Sequence, residues 1–177
     1  MEEIPGFEKK EGNQKISKYL EESSTNKESL FVPQKIIEKY GMVMDLVTEH
    51  SERSCCFTKG YSRLIEGTGS ILQTNLKINF QFGNEKNEKN EKKIEKNEKK
   101  IENNFLNEDS SHIISLLKDC QLRFFSPREI SNLHCFPSHF VFPSEMSSKQ
   151  VTRLLGNSLN VLVVSKIISY LFDKIKI

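Results

Sequence analysis

Over the first 29 positions apolar residues are sparse, and only Ile16, Tyr19 and Leu20 cluster among Glu, Lys, Ser and Asn. Residues 1–29 therefore read as a flexible lead-in holding one short helix. Pro33 then suits a first helical position, and Ile36, Ile37 and Tyr40 follow at helical spacing up to Gly41, which predicts a short amphipathic helix leaning on the core. Cys55 to Phe57 and Ser70 to Gln73 flank a turn at Gly67-Thr68-Gly69, a pattern of extended segments joined by tight loops. From Asn84 to Asn104 the chain repeats Asn-Glu-Lys, and its only apolar residues are Ile94 and Ile101. One apolar side chain per seven residues cannot form the two-position seam of a coiled coil, so this is a solvated insert.

Beyond the insert the start and stop signals are strong. Ser126-Pro127-Arg128-Glu129 is a capping box with Pro at the first helical position, and its helix should stop before Phe136-Pro137. Ser147 and Gln150 repeat that logic, with Gly156 placed to end the second helix. A last helix is predicted from about Leu159 to Phe172. Its apolar positions Val161, Val164, Ile168 and Leu171 share one face, which implies packing against something this short domain does not supply.

Composition narrows the function classes. A chain of 177 residues can bury one core, although 28% of it is charged and the insert dilutes the apolar 36%. The net charge of +2 gives no strong overall attraction for a polyanion, so any nucleic-acid contact must be local. The start, Met-Glu-Glu-Ile-Pro-Gly, lacks the basic and apolar regions of a signal peptide, and Lys166, Asp173 and Lys174 break the apolar tail before spanning length. These features lead us to expect no membrane partner and a cytoplasmic or nuclear location. The four cysteines, two of them adjacent, read as reduced thiols in such a compartment. There is no Cys-x-x-Cys pair, and His134, Cys135 and His139 lack the spacing of a zinc site, so no metal is expected.

Two stretches could carry chemistry. Gly156-Asn157-Ser158 lies between two predicted helices, where side chains and free amides could converge on a carboxylate; equally, Asn157 and Ser158 could simply cap a helix. In the second stretch, Lys59 and Arg63 could bind phosphates, Tyr61 could stack on an unpaired base, and Thr58 could hydrogen-bond a base edge. By residue type alone, Cys55, Cys56 and Phe57 read as core. The Gly-x-Gly at positions 67–69 has no strand-then-helix context, so it does not indicate a dinucleotide site.

The run from Arg53 to Thr74, with Cys56-Phe57-Thr58 at its centre, resembles the target-recognition segment of the tRNA cytosine-5 methyltransferases. Leu122 to Pro137 and Arg153 to Val161 resemble the last two motif blocks of cytosine-5 methyltransferases, in family order. The resemblance implies an α+β remnant: a target-recognition domain over residues 30–121, carrying the insert at 84–104, and, over 122–177, the C-terminal helices of a Rossmann-like α/β methyltransferase domain whose catalytic half of the sheet is missing. It further implies tRNA as partner through Thr58, Lys59, Tyr61 and Arg63, and contact of Asn157 and Ser158 with S-adenosylmethionine once a catalytic half is present.

Nothing in the chain resembles the family's Phe-x-Gly-x-Gly, Pro-Pro-Cys or Glu-Asn-Val blocks, so no catalytic residue is assigned. Cys120-Gln121 and Glu102-Asn103-Asn104 imitate two of them in the wrong place. Such chemistry needs a thiolate, an acid at the ring nitrogen and a flipped base. The expectation is a fragment of a tRNA methyltransferase acting on an anticodon-loop cytosine. The alternatives are a non-catalytic RNA-binding or partner-binding protein, including one that complements a catalytic half in trans, and a fragment of a DNA cytosine-5 methyltransferase.

Overall fold

In the computed structural model of the chain, the residues described are 14–21, 27–78 and 110–175. The charged insert at 84–104 and the first 13 positions of the lead-in lie outside them. A three-stranded sheet organises the rest: β1 (Leu46–Val47), β2 (Ile71–Gln73) and β3 (Leu122–Arg123), in the order β1-β2-β3. β1 runs parallel to β2 with Leu46 opposite Ile71, and β3 runs antiparallel to β2 with Leu72 opposite Arg123. Phe31 extends the sheet by an isolated bridge to Arg123. Ile71, Leu72 and Leu122 are each at most 2% exposed, so both faces of this small sheet are covered.

The helices α1 (Gln34–Tyr40) and α2 (Ser110–Asp119) pack on each other, and their Ile37, Ile113 and Leu117 share one core with Ile71, Leu72 and Leu122 of the sheet. Pro33 is the N-cap of α1 rather than its first helical residue. Ile113 and Leu117, one turn apart on α2, are buried. The chain passes close to Leu117 at Gly41, where a Cβ would stand 2.7 Å from Leu117 Cδ1.

Several elements differ from the sequence-based expectation. Cys55 to Phe57 forms no strand, while the two-residue strands β1 and β3 and the helix α2 are not among the predicted elements. The short helix expected within the lead-in is a 3-10 turn, Ile16–Tyr19, with Ile16 only 2% exposed. Backbone bonds from Ile16 N to Ser51 O and from Ser17 N to Glu49 O hold it, and Asn132 Nδ2 donates to Tyr19 O. One buried isoleucine and these three bonds fix the turn where the sequence places the short helix of the lead-in.

The two capping boxes are both complete. In α3 (Pro127–Leu133) the Ser126 hydroxyl accepts from Glu129 N, and the Glu129 carboxylate accepts from Ser126 N. Ser147 and Gln150 do the same for α4 (Ser148–Leu155), and α3 packs on α4. Glu129 has a second task. Its two oxygens accept from Arg123 Nη1 and Nη2, each at 2.8 Å, with the pair 1% and 2% exposed. An arginine near the start of one motif block and the block's capping glutamate thus form a two-pronged buried ion pair between β3 and α3.

Helix α3 ends by a Schellman-type turn, Phe136 N donating to Ser131 O at 3.1 Å, with Cys135 in the left-handed region at φ 57°. A side chain there is strained by about 1–2 kcal/mol, the reason glycine usually fills the position. Replacing Cys135 by Gly should therefore raise stability by about 1 kcal/mol, less whatever the Sγ contact with Asn160 Nδ2 at 3.6 Å contributes. A rise in melting temperature checks this; a fall would show that the thiol contact outweighs the strain.

The last helix, α5 (Val161–Ile175), begins two residues later than predicted, with Asn160 as its cap: Asn160 Oδ1 accepts from Val163 N. Asn160 Nδ2 donates to Leu133 O and Val161 N to His134 O, tying the helix start to the end of α3. Past that start α5 has no buried residue, and Ile168 and Leu171 of the predicted apolar face are 46% and 50% exposed.

Candidate nucleic-acid interface and cofactor turn

The Cys56-Phe57-Thr58 segment is held from three sides. Phe57 is buried edge-on against Tyr61 and Phe125, with ring centroids 4.9 and 5.3 Å away. Thr58 N donates to Thr68 O at 2.9 Å, and Thr58 O accepts from Tyr61 N, so the chain turns sharply after Thr58. Gly69, at φ 147°, lies under these rings; a Cβ there would come within 2.7 Å of both Phe57 and Tyr61. Only glycine satisfies both the dihedral and the ring contact.

Of the residues expected to face RNA, the structure exposes Lys59 and Arg63, half-buries Thr58, and closes off Tyr61. Tyr61 is 4% exposed. Its hydroxyl donates to Ser70 O at 2.7 Å and accepts from Phe125 N at 2.9 Å, while burial pushes the phenol's pKa far up. No ring face is left for a base to stack on, which corrects the role suggested by its position; Tyr61 instead bolts the Cys56-Phe57-Thr58 segment to the block that starts at Leu122. Tyr61→Phe would leave a buried donor and a buried acceptor unpaired. It should cost about 1–3 kcal/mol, read as a lower urea midpoint with an unchanged slope.

Cys55 and Cys56 are exposed, so of the three residues that type alone placed in the core only Phe57 is there. Cys55 N donates to Ser70 Oγ, which donates to Asp45 Oδ2; Asp45 Oδ1 accepts from Arg53 Nη1 at 2.7 Å. Burial raises the Asp45 pKa, but the bonds from Ser70, Arg53 and Cys55 outweigh it and hold the carboxyl below its usual value. Partial burial and then the same carboxylate push the Cys55 thiol up. Cys120 is fully buried and its thiol is raised to about 11, by burial and then by Asp119, so it offers no thiolate at neutral pH. Among the described residues no group of His, Cys, Asp and Glu could hold a metal ion.

The second stretch meets the first directly. Gly156 has φ −68° and ψ −10°, ordinary helical values, so its lack of a side chain serves approach rather than conformation. A Cβ on it would lie 2.2 Å from Thr58 C and 2.4 Å from Lys59 N and Thr58 O. The end of α4 is therefore seated on the Thr58–Lys59 peptide, and Asn157 and Ser158 follow at its edge. Asn157 is exposed; Ser158 Oγ donates to Leu155 O at 2.6 Å, and the Asn157 and Ser158 amides donate to Leu154 O and Leu155 O. The amides expected to be free at the start of the last helix are partly spent as well, Val161 N on His134 O and Val163 N on Asn160 Oδ1. The Asn157 side chain and the Ser158 lone pairs remain to face outward.

The described residues form a small α/β unit around a three-stranded sheet, in which the loop carrying Lys59 and Arg63 is keyed to the turn between α4 and α5. The chain belongs to the C-5 cytosine-specific DNA methylase family, whose profile matches residues 2–173. Within that family its relatives include tRNA cytosine-5 methyltransferases of the Dnmt2 type and, at 33% identity over 97% of this chain and 39% of that protein, a DNA (cytosine-5)-methyltransferase of Dictyostelium discoideum. It is 43% identical over 152 residues to the tRNA (cytosine(38)-C(5))-methyltransferase of Bos taurus, covering 86% of this chain and 34% of that protein. It is also similar to the crystal structure of the S. pombe Dnmt2 methyltransferase, with TM-score 0.69 and 29% identity over 95% of this chain and 44% of that one. The Entamoeba histolytica methyltransferase EhMeth gives 0.67 and 32% over 93% and 42%. The chain spans about a third of the length of the bovine relative. Among the described residues, no helix is long and apolar enough to cross a membrane.

Proposed function

We propose that this chain supplies tRNA recognition and one wall of the cofactor pocket to a tRNA cytosine-5 methyltransferase, an enzyme that moves a methyl group from S-adenosylmethionine to an anticodon-loop cytosine. The observation that carries this reading is the seating of Gly156 on the Thr58–Lys59 peptide, which makes the recognition loop and the Asn157-Ser158 turn one continuous surface. Relatives named for cytosine 38 of tRNA support the target. Lys59 and Arg63 would bind phosphates, and Thr58 would read a nearby sugar or base edge. S-adenosylmethionine would supply the methyl group. The Asn157 side-chain amide can donate to its carboxylate, while Ser158, whose proton is given to Leu155 O, can only accept.

A thiolate nucleophile and its acid partner belong to another part of the enzyme in this reading, because Cys120 is inert and sits outside the surface just described. That other part would cover α5. Leu162, Val163 and Ile167, together with Ile168 and Leu171, present an apolar surface too large for a helix that ends in water.

Gel-shift titration of the chain with tRNA tests the recognition half of the proposal. Lys59→Ala with Arg63→Ala should weaken binding more than tenfold. The slope of log affinity against log salt should become shallower by about 0.7–0.9 for each phosphate that is no longer neutralised. Unchanged binding in the double variant, or stronger binding to a DNA duplex than to tRNA, would exclude this loop as a tRNA contact.

A further inference from the structure

The loop between α3 and α4 carries an aromatic cluster that neither the recognition loop nor the Asn157-Ser158 turn uses. The ring centroid of Phe140 lies 5.0 Å from that of Phe136 and 5.4 Å from that of Phe142. The Arg128 guanidinium stands over the Phe142 ring at 5.1 Å and donates from Nη2 to Phe140 O at 2.8 Å, so the cluster is pinned from α3. It does not close on itself. Phe136 and Phe142 are half-buried, whereas Phe140 is 39% and Val141 75% exposed. A ring held by two others and still open to water is a surface on which another flat ring can stack.

Charge around the loop selects the partner. From Gln121 to Phe172 the only acids are Glu129, buried and paired with Arg123, and Glu145, whereas Arg128, Lys149, Arg153 and Lys166 are cations. Lys149, Arg153 and Gly156 are spaced i, i+4 and i+7, so they share one flank of α4. At Gly156 that flank meets the Thr58–Lys59 peptide, and its other end joins the aromatic loop through Met146 and Ser147. The eight residues of α4 span about 12 Å, so a polyanion held at Lys59 and following this flank meets two further cations before the loop.

We infer that Phe140 is a stacking platform for an unpaired base of the bound RNA, with Arg128, Lys149 and Arg153 drawing the adjoining phosphates. Aromatic side chains set in a positively charged track hold single-stranded RNA in this way. Phe140 and Val141 alone fall far short of the roughly 20–30 residues a side of a stable protein interface. The inference rests on the reading of the chain as a tRNA binder, and adds a contact of different chemistry to it.

The chain contains no Trp, so Phe140→Trp keeps a stacking ring and introduces a single fluorescent reporter at the platform. Titration with tRNA should quench its emission saturably, at the concentration that shifts the chain in a gel. Phe140→Leu, which keeps apolar bulk without a ring, should bind tRNA about fivefold or more weakly at an unchanged urea midpoint, while Phe140→Trp binds as the unaltered chain does. Binding of tRNA without quenching, or with equal affinity in Phe140→Leu, overturns the platform and leaves the tRNA reading standing. Failure of every version to shift with tRNA sinks both. Quenching by the remaining part of the S. pombe Dnmt2 relative in the absence of RNA would make the loop a protein contact and overturn the inference as well.

Discussion

Gly156→Ala is expected to lower both the stability of the chain and its affinity for tRNA, out of proportion to one added methyl group. The new Cβ would overlap three backbone atoms of Thr58 and Lys59 at 2.2 to 2.4 Å. Those atoms cannot step aside cheaply. Thr58 is bonded to Thr68, Phe57 is wedged between Tyr61 and Phe125, and Gly69 lies against the rings of Phe57 and Tyr61 without room to spare. Overpacking of this kind costs about 1–3 kcal/mol, and a rigid backbone neighbour puts the expected loss at the upper end. Because the clash displaces Lys59, tRNA affinity should fall as well. Asn157→Ala is the control. It alters an exposed neighbour on the same turn, so stability should stay within about 0.5 kcal/mol. Equal denaturation midpoints for Gly156→Ala and the unaltered chain would mean that α4 is not seated on the recognition loop.

Glu129→Ala should be more damaging still. It strips Arg123 of its partner while leaving the guanidinium 2% exposed, and it removes the acceptor for Ser126 N at the start of α3. Breaking a buried pair from one side costs about 3–5 kcal/mol, and losing half of a capping box adds to it. A loss of that size is a large fraction of the total stability of a small domain, so the variant is expected to be largely unfolded at room temperature. Removing both charges, with Arg123→Met and Glu129→Leu, should recover much of the loss, since well-packed apolar replacements of a buried pair are often neutral. Far-ultraviolet circular dichroism with urea titration of the single and double variants separates these outcomes. If the double variant is no better than Glu129→Ala, the cap rather than the ion pair is the dominant contribution.

Both predictions concern residues whose importance the sequence shows only in part. The capping boxes at Ser126 and Ser147 are legible because a cap is a local device, written within four residues and satisfied within one turn. The second role of Glu129 is not, since nothing local says that Arg123 will reach it across a strand end. Gly156 reads locally as a helix terminator. It does end α4, yet its backbone is ordinary, and what demands glycine is a peptide almost one hundred positions earlier in the chain.

Tyr61 shows the same limit from the other side. A tyrosine in a cationic loop can stack on a base or bury its ring and use its hydroxyl as a bolt, and only the positions of Ser70 and Phe125 decide between them. The strands β1 and β3 are two residues long, too short for any alternation to register. Helix α2 does carry a signal, with Ile113 and Leu117 one turn apart, but it lies so soon after the charged insert that the polar run masks it. The apolar face of α5 is legible, and its exposure here agrees with the expectation that it packs on something else.

Methylation of tRNA by a reconstituted enzyme would show whether this chain completes a tRNA cytosine-5 methyltransferase. The chain would be combined with the remaining part of the S. pombe Dnmt2 relative, S-adenosylmethionine and tRNA, and each cytosine read by bisulfite sequencing. A protected cytosine in the anticodon loop is expected only when both parts are present, and should be lost with Gly156→Ala. Two parts that assemble and bind both tRNA and S-adenosylmethionine, yet protect no tRNA cytosine or protect cytosines in duplex DNA instead, would contradict it.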